Sequence, residues 1–273
     1  MKDDIALRLG TIALIGGGRM GEAIVSGLVN GALFDPDSII IAETMEERRE
    51  YLEATYGVAC VDDGARIKHP TTCLIAVKPQ VFKSVAAHLV ASESFDPLRV
   101  ISIAAGITTA TIQEFFPKAA VIRVMPNTPL MVSAGMSAVA TAEGTLPSEG
   151  ELVRELFSLI GEAVVLDESL INAATAINGS GPAYFARFVL ELASAGVRVG
   201  LDPTDSLLLA RQTMAGTARL LEFGDMSPEA LIAAVASPGG TTEAALASFN
   251  ETGLAQTIDS AVQAAVKRAE ELA

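Results

Sequence analysis

Ile12-Ala-Leu-Ile-Gly16-Gly17-Gly18-Arg19-Met20-Gly21 decides the fold. The aliphatic run reads as a buried strand, the glycines follow as Gly-x-Gly-x-x-Gly, and an apolar helical stretch over 20–30 comes next. Gly16 permits a tight turn, Gly18 lets a pyrophosphate approach the backbone, and Gly21 lets the helix pack on the strand. The helix N-terminus then aims unpaired N–H groups at the anion. A lone glycine triplet is a weak signal, but between the first strand and first helix of an alternating domain it is specific. Gly16, Gly18, Arg19, Met20 and Gly21 are therefore candidate cofactor-binding residues.

The alternation continues outward from this stretch. Short β-branched runs predict strands over 11–15, 38–42, 72–77, 99–103, 121–125, 137–141 and 163–166. Helical patterns fall between them at 46–56, 79–91, 109–116 and 148–160. That order implies a parallel sheet with right-handed crossovers and helices on both faces, an α/β fold with a Rossmann-type doubly wound sheet. After about Asp167 the strands stop. Stretches 169–177, 182–200, 203–223, 228–235, 241–249 and 254–272 read as helices, with Pro182, Pro203 and Pro228 at first-turn positions. The change of period predicts a dinucleotide-binding domain over 1–166 and an all-helical domain over 167–273. The helix over 182–200 confines its charges, Arg187, Glu191 and Arg198, to one thin stripe. Such a helix is buried on most sides, either as a central core helix or packed into a second subunit; the second is slightly favoured.

Composition narrows the function. The chain has 273 residues, half of them apolar, and a net charge of −14. Thirteen bases and 20 acids lie up to Leu166, and 6 and 13 beyond it, so neither part hides a basic domain. Phosphate backbones and anionic lipid are repelled, which excludes nucleic acid and membrane surfaces as expected partners. The uncharged stretches 124–142 and 169–186 are interrupted by Pro, Gly and Asn, so no membrane span is expected, and no targeting segment is visible. Two cysteines, Cys60 and Cys73, form no disulfide framework and fit a reducing, cytoplasmic setting. Two histidines, His69 and His88, rule out a multi-histidine metal site.

Several further segments carry chemistry. Glu43 follows the second strand, 22 residues after Gly21, near where an acid hydrogen-bonds the adenosine ribose 2′-OH. That favours NADH, while Thr44, Arg48 and Arg49 keep NADPH open if Glu43 turns to solvent. Val77-Lys78-Pro79, Ser102-Ile-Ala-Ala105-Gly106 and Met125-Pro-Asn127-Thr-Pro129 end three further strands and would form a close wall for a flat ring. Ala236-Ser237-Pro238-Gly239-Gly240-Thr241-Thr242 opens a helix with bare N–H groups and hydroxyls, a receptor for a small carboxylate. A similar turn, Asn178-Gly179-Ser180-Gly181-Pro182, opens the apolar helix. Both turns can equally be ordinary capped turns. The C-terminal part contains no His and one Lys, Lys267. Alcohol oxidation needs a general base, and none is available there. An imine nitrogen is basic enough to arrive protonated, or to take a proton from a hydroxyl or water, so imine reduction suits these residues better.

With these residues in hand, the chain resembles the pyrroline-5-carboxylate reductases over essentially its whole length. The matching segments are Ile15-Gly-Gly-Gly-Arg-Met-Gly21, Ala76-Val-Lys-Pro79, Ser102-Ile-Ala-Ala-Gly106, Arg123-Val-Met-Pro-Asn-Thr-Pro129, Asn178-Gly-Ser-Gly-Pro-Ala-Tyr184 and Ser237-Pro-Gly-Gly-Thr-Thr242. The resemblance implies reduction of 1-pyrroline-5-carboxylate to L-proline with NADPH or NADH, the last step of proline biosynthesis. It implies homodimers built through the helical domain, often assembled into decamers. By position, Ser237, Gly239, Gly240, Thr241 and Thr242 would bind the substrate carboxylate, with Ser180 beside them. Thr242 would also reach the imine nitrogen as the catalytic residue. Val77, Lys78, Pro79, Ala104 and Asn127 would line the cofactor, and no metal is implied. The family usually has Ser where this chain has Asn178, and Glu43 and Asp63 are acids where many members are not. The alternatives kept open are an imine reductase for another cyclic imino acid and a non-catalytic NAD(P)-sensing protein.

Overall fold

The structure, a computed structural model, describes residues 2–31, 34–224 and 226–272. Two compact units divide the chain: Met1–Ser180 with Ala265–Ala273, and Gly181–Ala264.

The first unit runs α1 (Lys2–Leu9), β1 (Ile12–Ile15), α2 (Arg19–Asn30), β2 (Ile39–Ala42), α3 (Glu46–Tyr56), β3 (Ala59–Val61), β4 (Thr72–Ile75) and α4 (Pro79–Val90). It continues with β5 (Arg99–Ser102), α5 (Thr109–Phe115), β6 (Ala120–Met125), β7 (Gly135–Thr141), α6 (Pro147–Ser158), β8 (Gly161–Val165) and α7 (Ile171–Ala174). Among the described residues the strands form one sheet in the order β3-β2-β1-β4-β5-β6-β7-β8. The first six are parallel and their order reverses direction between β1 and β4. This is the doubly wound arrangement that the alternation predicts.

The central strands are buried throughout, and successive residues enter opposite cores, as a two-residue period requires. Ile12 and Leu14 of β1 join one core with Ile24 and Leu28 of α2, Leu52 of α3 and Phe157 of α6. Ala13 and Ile15 join the opposite core with Phe82 and Leu89 of α4 and Ile112 of α5. Helices therefore cover both faces.

The sheet departs from the expectation at its far edge. β7 runs antiparallel to β6, and β8 pairs parallel with β7. Between β6 and β7 lies only a loop with one 3₁₀ turn, Thr128–Val132. A parallel connection needs a crossover of a dozen or more residues, so the chain reverses instead. Two elements escaped the sequence reading. α1 has only Ile5 and Leu9 as buried anchors, and β3 is three residues long and only partly buried.

The second unit holds α8 (Gly181–Arg198), α9 (Pro203–Phe223), α10 (Pro228–Val235), α11 (Thr241–Glu251) and most of α12 (Leu254–Leu272). The bounds of α3, α9, α10 and α12 are those the sequence predicts. α8 and α9 approach closely because small residues meet there: Ser206 Oγ donates to Ala193 O at 2.7 Å, and a Cβ on Gly196 would stand 2.2 Å from that hydroxyl. The charged stripe of α8 closes on itself through Arg187 and Glu191 at 2.6 Å. Its apolar surface is not enclosed by this chain: Phe185 is 65% exposed and Leu190 56%. That argues against the central-core alternative for this helix. No helix among the described residues is long and apolar enough to cross a membrane.

Phe82 joins α4 to α5 by an edge-on contact with Phe115, ring centroids 6.4 Å apart, and is fully buried. Phe82→Ala is expected to destabilise the first unit by about 3–5 kcal/mol. Denaturant unfolding followed by far-UV circular dichroism would measure it; a loss under about 1 kcal/mol would contradict this packing account.

Candidate active site

The parallel register brings five strand ends to one edge. Ile15 lies beside Ala42 and Ile75, Ile75 beside Ser102, and Ser102 beside Arg123. The residues that follow are therefore neighbours along that edge: Gly16, Glu43 and Thr44, then Val77, Lys78 and Pro79, then Ala104, then Asn127. The point where strand order reverses is where open α/β sheets bind ligands.

The glycine loop has the conformation that its sequence demands. Gly16 lies at φ +105, and its N–H extends the ladder to Ala42 O at 2.9 Å. A Cβ on Gly21 would stand 2.2 Å from Gly16 O. Gly18 is the N-cap of α2 and offers no side-chain cap. A Cβ placed on Gly18 would meet nothing within 4 Å, so the loop is open on that side. The first intrahelical bond is Glu22 N to Gly18 O at 2.8 Å. The N–H groups before it have no intrahelical acceptor, as at any helix start. Arg19 and Met20 open the helix there. These features fit a dinucleotide pyrophosphate.

A polar lattice that sequence reasoning missed straps this loop to its neighbours. Glu43 Oε2 accepts from Gly17 N at 3.0 Å, while its Oε1 accepts from Met45 N at 3.0 Å and Thr44 Oγ1 at 3.3 Å. Arg48 Nε donates to Gly17 O at 2.8 Å and pairs with Glu22. The Tyr51 and Tyr56 hydroxyls donate to Glu22, each at 3.0 Å. Burial pushes the Glu22 carboxyl up, but the hydrogen bonds from Arg48, Tyr51 and Tyr56 outweigh it and hold it below the ordinary range. Arg49 donates to the carbonyls of Glu43 and Thr44 at 2.9 and 2.8 Å. Nothing in the local spacing signals the Arg48 reach to Gly17, which spans 31 residues. Asp63 accepts from Ala65 N at 2.9 Å and His88 Nε2 at 2.8 Å, which lowers its pKa.

The far end of the edge is held by two asparagines. Asn127 Nδ2 donates to Asn178 O at 3.1 Å, and its Oδ1 accepts from Met136 N at 2.9 Å. Asn178 Nδ2 donates to Met125 O and Met136 O, both at 2.9 Å. Each atom of the Asn127 amide thus retains one further hydrogen-bonding position. Asn178 lies in a π-helical turn, Thr175–Gly179, closed by Ser180 N to Thr175 O at 3.0 Å. This corrects the expected loop-like turn at 178–182: a helix widened by one residue occupies it, followed by α8. The widening carries the Asn178 carbonyl outward to Asn127, and such π-bulges are frequent at functional sites. Lys78 is the N-cap of α4 with Pro79 in its first turn, and Ala104 is buried.

Ser180 lies in the first unit; Ser237, Gly239, Gly240, Thr241 and Thr242 lie in the second, at the opening of α11. Gly240 is its N-cap, without a side-chain cap. The expectation of uniformly bare N–H groups needs correction. Gly240 N donates to Ser237 O at 2.9 Å, and Gly239 N donates to Glu243 Oε2 at 2.6 Å. The first intrahelical bond is Ala244 N to Gly240 O at 3.2 Å. The N–H groups left for an anion are therefore those of Thr241, Thr242 and Glu243. The glycines contribute shape: Gly239 adopts φ +69, and a Cβ on Gly240 would stand 2.5 Å from Ser237 Oγ. Glu243, missed in the sequence, stands three residues after the N-cap, the position from which an acid reaches back to the N–H groups before the helix.

Neither cysteine is a ready nucleophile. Burial pushes the Cys60 thiol up to about 11 and the fully buried Cys73 thiol higher still.

Comparison with known proteins agrees with this geometry. A family model described as pyrroline-5-carboxylate reductase dimerisation matches residues 168–272, and one described as NADP oxidoreductase coenzyme F420-dependent matches residues 11–106. A pyrroline-5-carboxylate reductase of Synechocystis is 41% identical over 96% of this chain and 97% of its own length. The solved pyrroline-5-carboxylate reductase of Coxiella burnetii superposes with a TM-score of 0.89 at 32% identity, covering 97% of this chain and 99% of its own. The Plasmodium falciparum pyrroline carboxylate reductase, solved with NADP bound, gives 0.81 at 25% identity, covering 97% and 98%.

Asn178→Ala removes both donated hydrogen bonds and strands two carbonyls. The expected cost is about 1–3 kcal/mol, with Asn178→Ser losing less because a hydroxyl retains one donor. Thermal unfolding of the two variants would show the order; equal stability of Asn178→Ala and the parent chain would refute the clamp.

Proposed function

The chain belongs to the pyrroline-5-carboxylate reductase family, and we propose that it reduces 1-pyrroline-5-carboxylate to L-proline with NAD(P)H, the last step of proline biosynthesis. One observation about the chain's own geometry carries this reading. The opening of α11 offers free N–H groups and the hydroxyls of Ser237, Thr241 and Thr242, in a unit that contains no His and no Lys. Such a site can hold a carboxylate and hydrogen-bond a nitrogen, but it has no base for alcohol oxidation.

In this reading residues 1–166 bind the dinucleotide and residues 167–273 bind substrate and form the dimer. Gly16, Gly18, Arg19, Met20 and Gly21 hold the pyrophosphate at the start of α2. Glu43 and Thr44 meet the adenosine ribose. Val77, Lys78, Pro79, Ala104 and Asn127 line the nicotinamide half, where the remaining donor and acceptor of the Asn127 amide suit a carboxamide. Bound NAD(P)H supplies the hydride that reaches the imine carbon. Ser237, Thr241 and Thr242 hold the substrate carboxylate on a turn that Gly239 and Gly240 shape, and Ser180 is a further candidate substrate-binding hydroxyl. Thr242 orients the imine nitrogen and relays to it a proton that the hydroxyl regains from water, or holds the water that supplies it. Fixing the reactants at near-attack distance is the main catalytic device.

The dimerisation match and the exposed Phe185, Phe188 and Leu190 of α8 support a homo-oligomer. We take the homodimer, assembled further into a decamer, as its form. The acidic charge and free cysteines support a cytoplasmic protein with no nucleic-acid or membrane partner.

Initial rates with pyrroline-5-carboxylate, using NADPH and NADH in parallel, test the reaction. Oxidation of either supports it. Tight cofactor binding without oxidation would point instead to a sensing protein or to a different cyclic imine. Thr242→Ala is expected to lower kcat by about 10²-fold or more, with cofactor affinity unchanged and partial rescue by Thr242→Ser. Unchanged kinetics in Thr242→Ala would remove Thr242 from the mechanism.

A further inference from the structure

We propose that Glu43 makes this chain select NADH over NADPH, an inference that rests on residues 16–21 being the dinucleotide cradle. The two cofactors differ only at the adenosine ribose, where NADPH carries a 2′-phosphate. In this fold that ribose lies beside the end of β2, against the glycine loop. Glu43 occupies that corner and is held there by three hydrogen bonds. Its two oxygens accept from Gly17 N on the loop and from Met45 N ahead of α3, both at 3.0 Å. A carboxylate has about four acceptor positions, and protein donors take three of them here. The remaining one can accept a ribose hydroxyl, whereas a phosphate brings like charge against a carboxylate that must break these hydrogen bonds to swing away.

The arginines at the start of α3 are wholly or partly committed to other partners, and Arg19 opens α2 on the pyrophosphate side of the loop. Arg48 gives Nε to Gly17 O, pairs with Glu22 and lies over the Tyr51 ring at 5.0 Å. Arg49 spends one guanidinium nitrogen on the carbonyls of Glu43 and Thr44. Residues 43–53 carry five acids against these two arginines, Glu46 and Glu47 among them in the first turn of α3. In the next loop Arg66 pairs with Asp62 at 2.7 Å and His88 with Asp63 at 2.8 Å, so each of these basic side chains already faces an acid. The field at this corner is acidic, and its central carboxylate is held in place by the loop that the cofactor must contact.

The test is direct binding, without substrate, of NADH and NADPH to the full chain by isothermal titration calorimetry, compared among the parent chain, Glu43→Gln and Glu43→Ser. The parent chain is expected to bind NADH at least about tenfold more tightly than NADPH. Glu43→Gln keeps an acceptor for Gly17 N and removes the charge, so it should tighten NADPH and shrink the ratio. Glu43→Ser should shrink it further, and kcat/KM for the two cofactors should move in parallel. Equal or tighter NADPH binding in the parent chain, or a ratio unmoved in Glu43→Gln, overturns the proposal while leaving the cradle intact. Binding of neither cofactor overturns the cradle reading and the proposal with it.

Discussion

The first unit depends on the approach of Gly21 to Gly16, so close that a Cβ on Gly21 would stand 2.2 Å from the Gly16 carbonyl oxygen. That contact sets α2 against β1 at its first turn. Everything after it on the helix then packs: Ala23, Ile24, Val25 and Leu28 bury into the sheet. The same contact leaves the free end of α2 at the edge where the strand order reverses. A larger residue at Gly21 would tilt the helix and move its N–H groups off that edge, and one at Gly16 would strain a φ of +105 and press on the Ala76 carbonyl at 2.9 Å. The packing of α2 and the candidate anion site at its start are thus consequences of one steric condition.

Around this contact the polar groups supply rigidity. Gly17 is held by its N–H to Glu43 and by its carbonyl to Arg48. Glu22 collects Arg48, Tyr51 and Tyr56, so α2 and α3 are joined by a part-buried network. At low local dielectric such bonds reinforce one another. The asparagine pair does the same at the other end of the edge, tying the β6 exit, the start of β7 and the π-turn together. Between these two fixed ends the strand termini have little freedom, and a cradle that does not reorganise on binding loses less affinity to ordering.

Sequence periodicity revealed those parts whose burial repeats over many residues. α9 and α12 were legible to the residue because their first-turn proline or long amphipathic stripe marks the ends, and β1, β4 and β5 were legible within one or two residues because each is a short, fully buried, β-branched or aliphatic-rich run. What failed was short or non-local. β3 has three residues and no alternation to detect. The reversal of β7 follows from loop length, which is visible in the sequence but was outweighed by the regular alternation before it. The π-turn has no compositional signature, since Asn-Gly-Ser-Gly reads as loop while the backbone around it stays helical. In the candidate sites, residue types were legible and partnerships were not: Glu43 was placed by spacing, whereas its bond to Gly17 and the reach of Arg48 come from the chain returning to the loop.

The same distinction bears on the chemistry. Reduction of an imine adds a hydride to carbon and a proton to nitrogen, and the second requirement is light because the nitrogen is already basic. A chain that must deprotonate an alcohol needs a group titrating near neutrality, and the environment that tunes it usually shows in burial and charge. Among the described residues of the second unit no such group is present, and Glu243 is occupied by Gly239 N. What α11 does provide is a positive helix end with N–H groups of Thr241, Thr242 and Glu243 unspent, and two threonine hydroxyls that can donate or accept. Groups of this kind can place a substrate and relay a proton without changing their own charge. A site with that inventory is competent for transfer to an already polarised double bond, and for little that demands more.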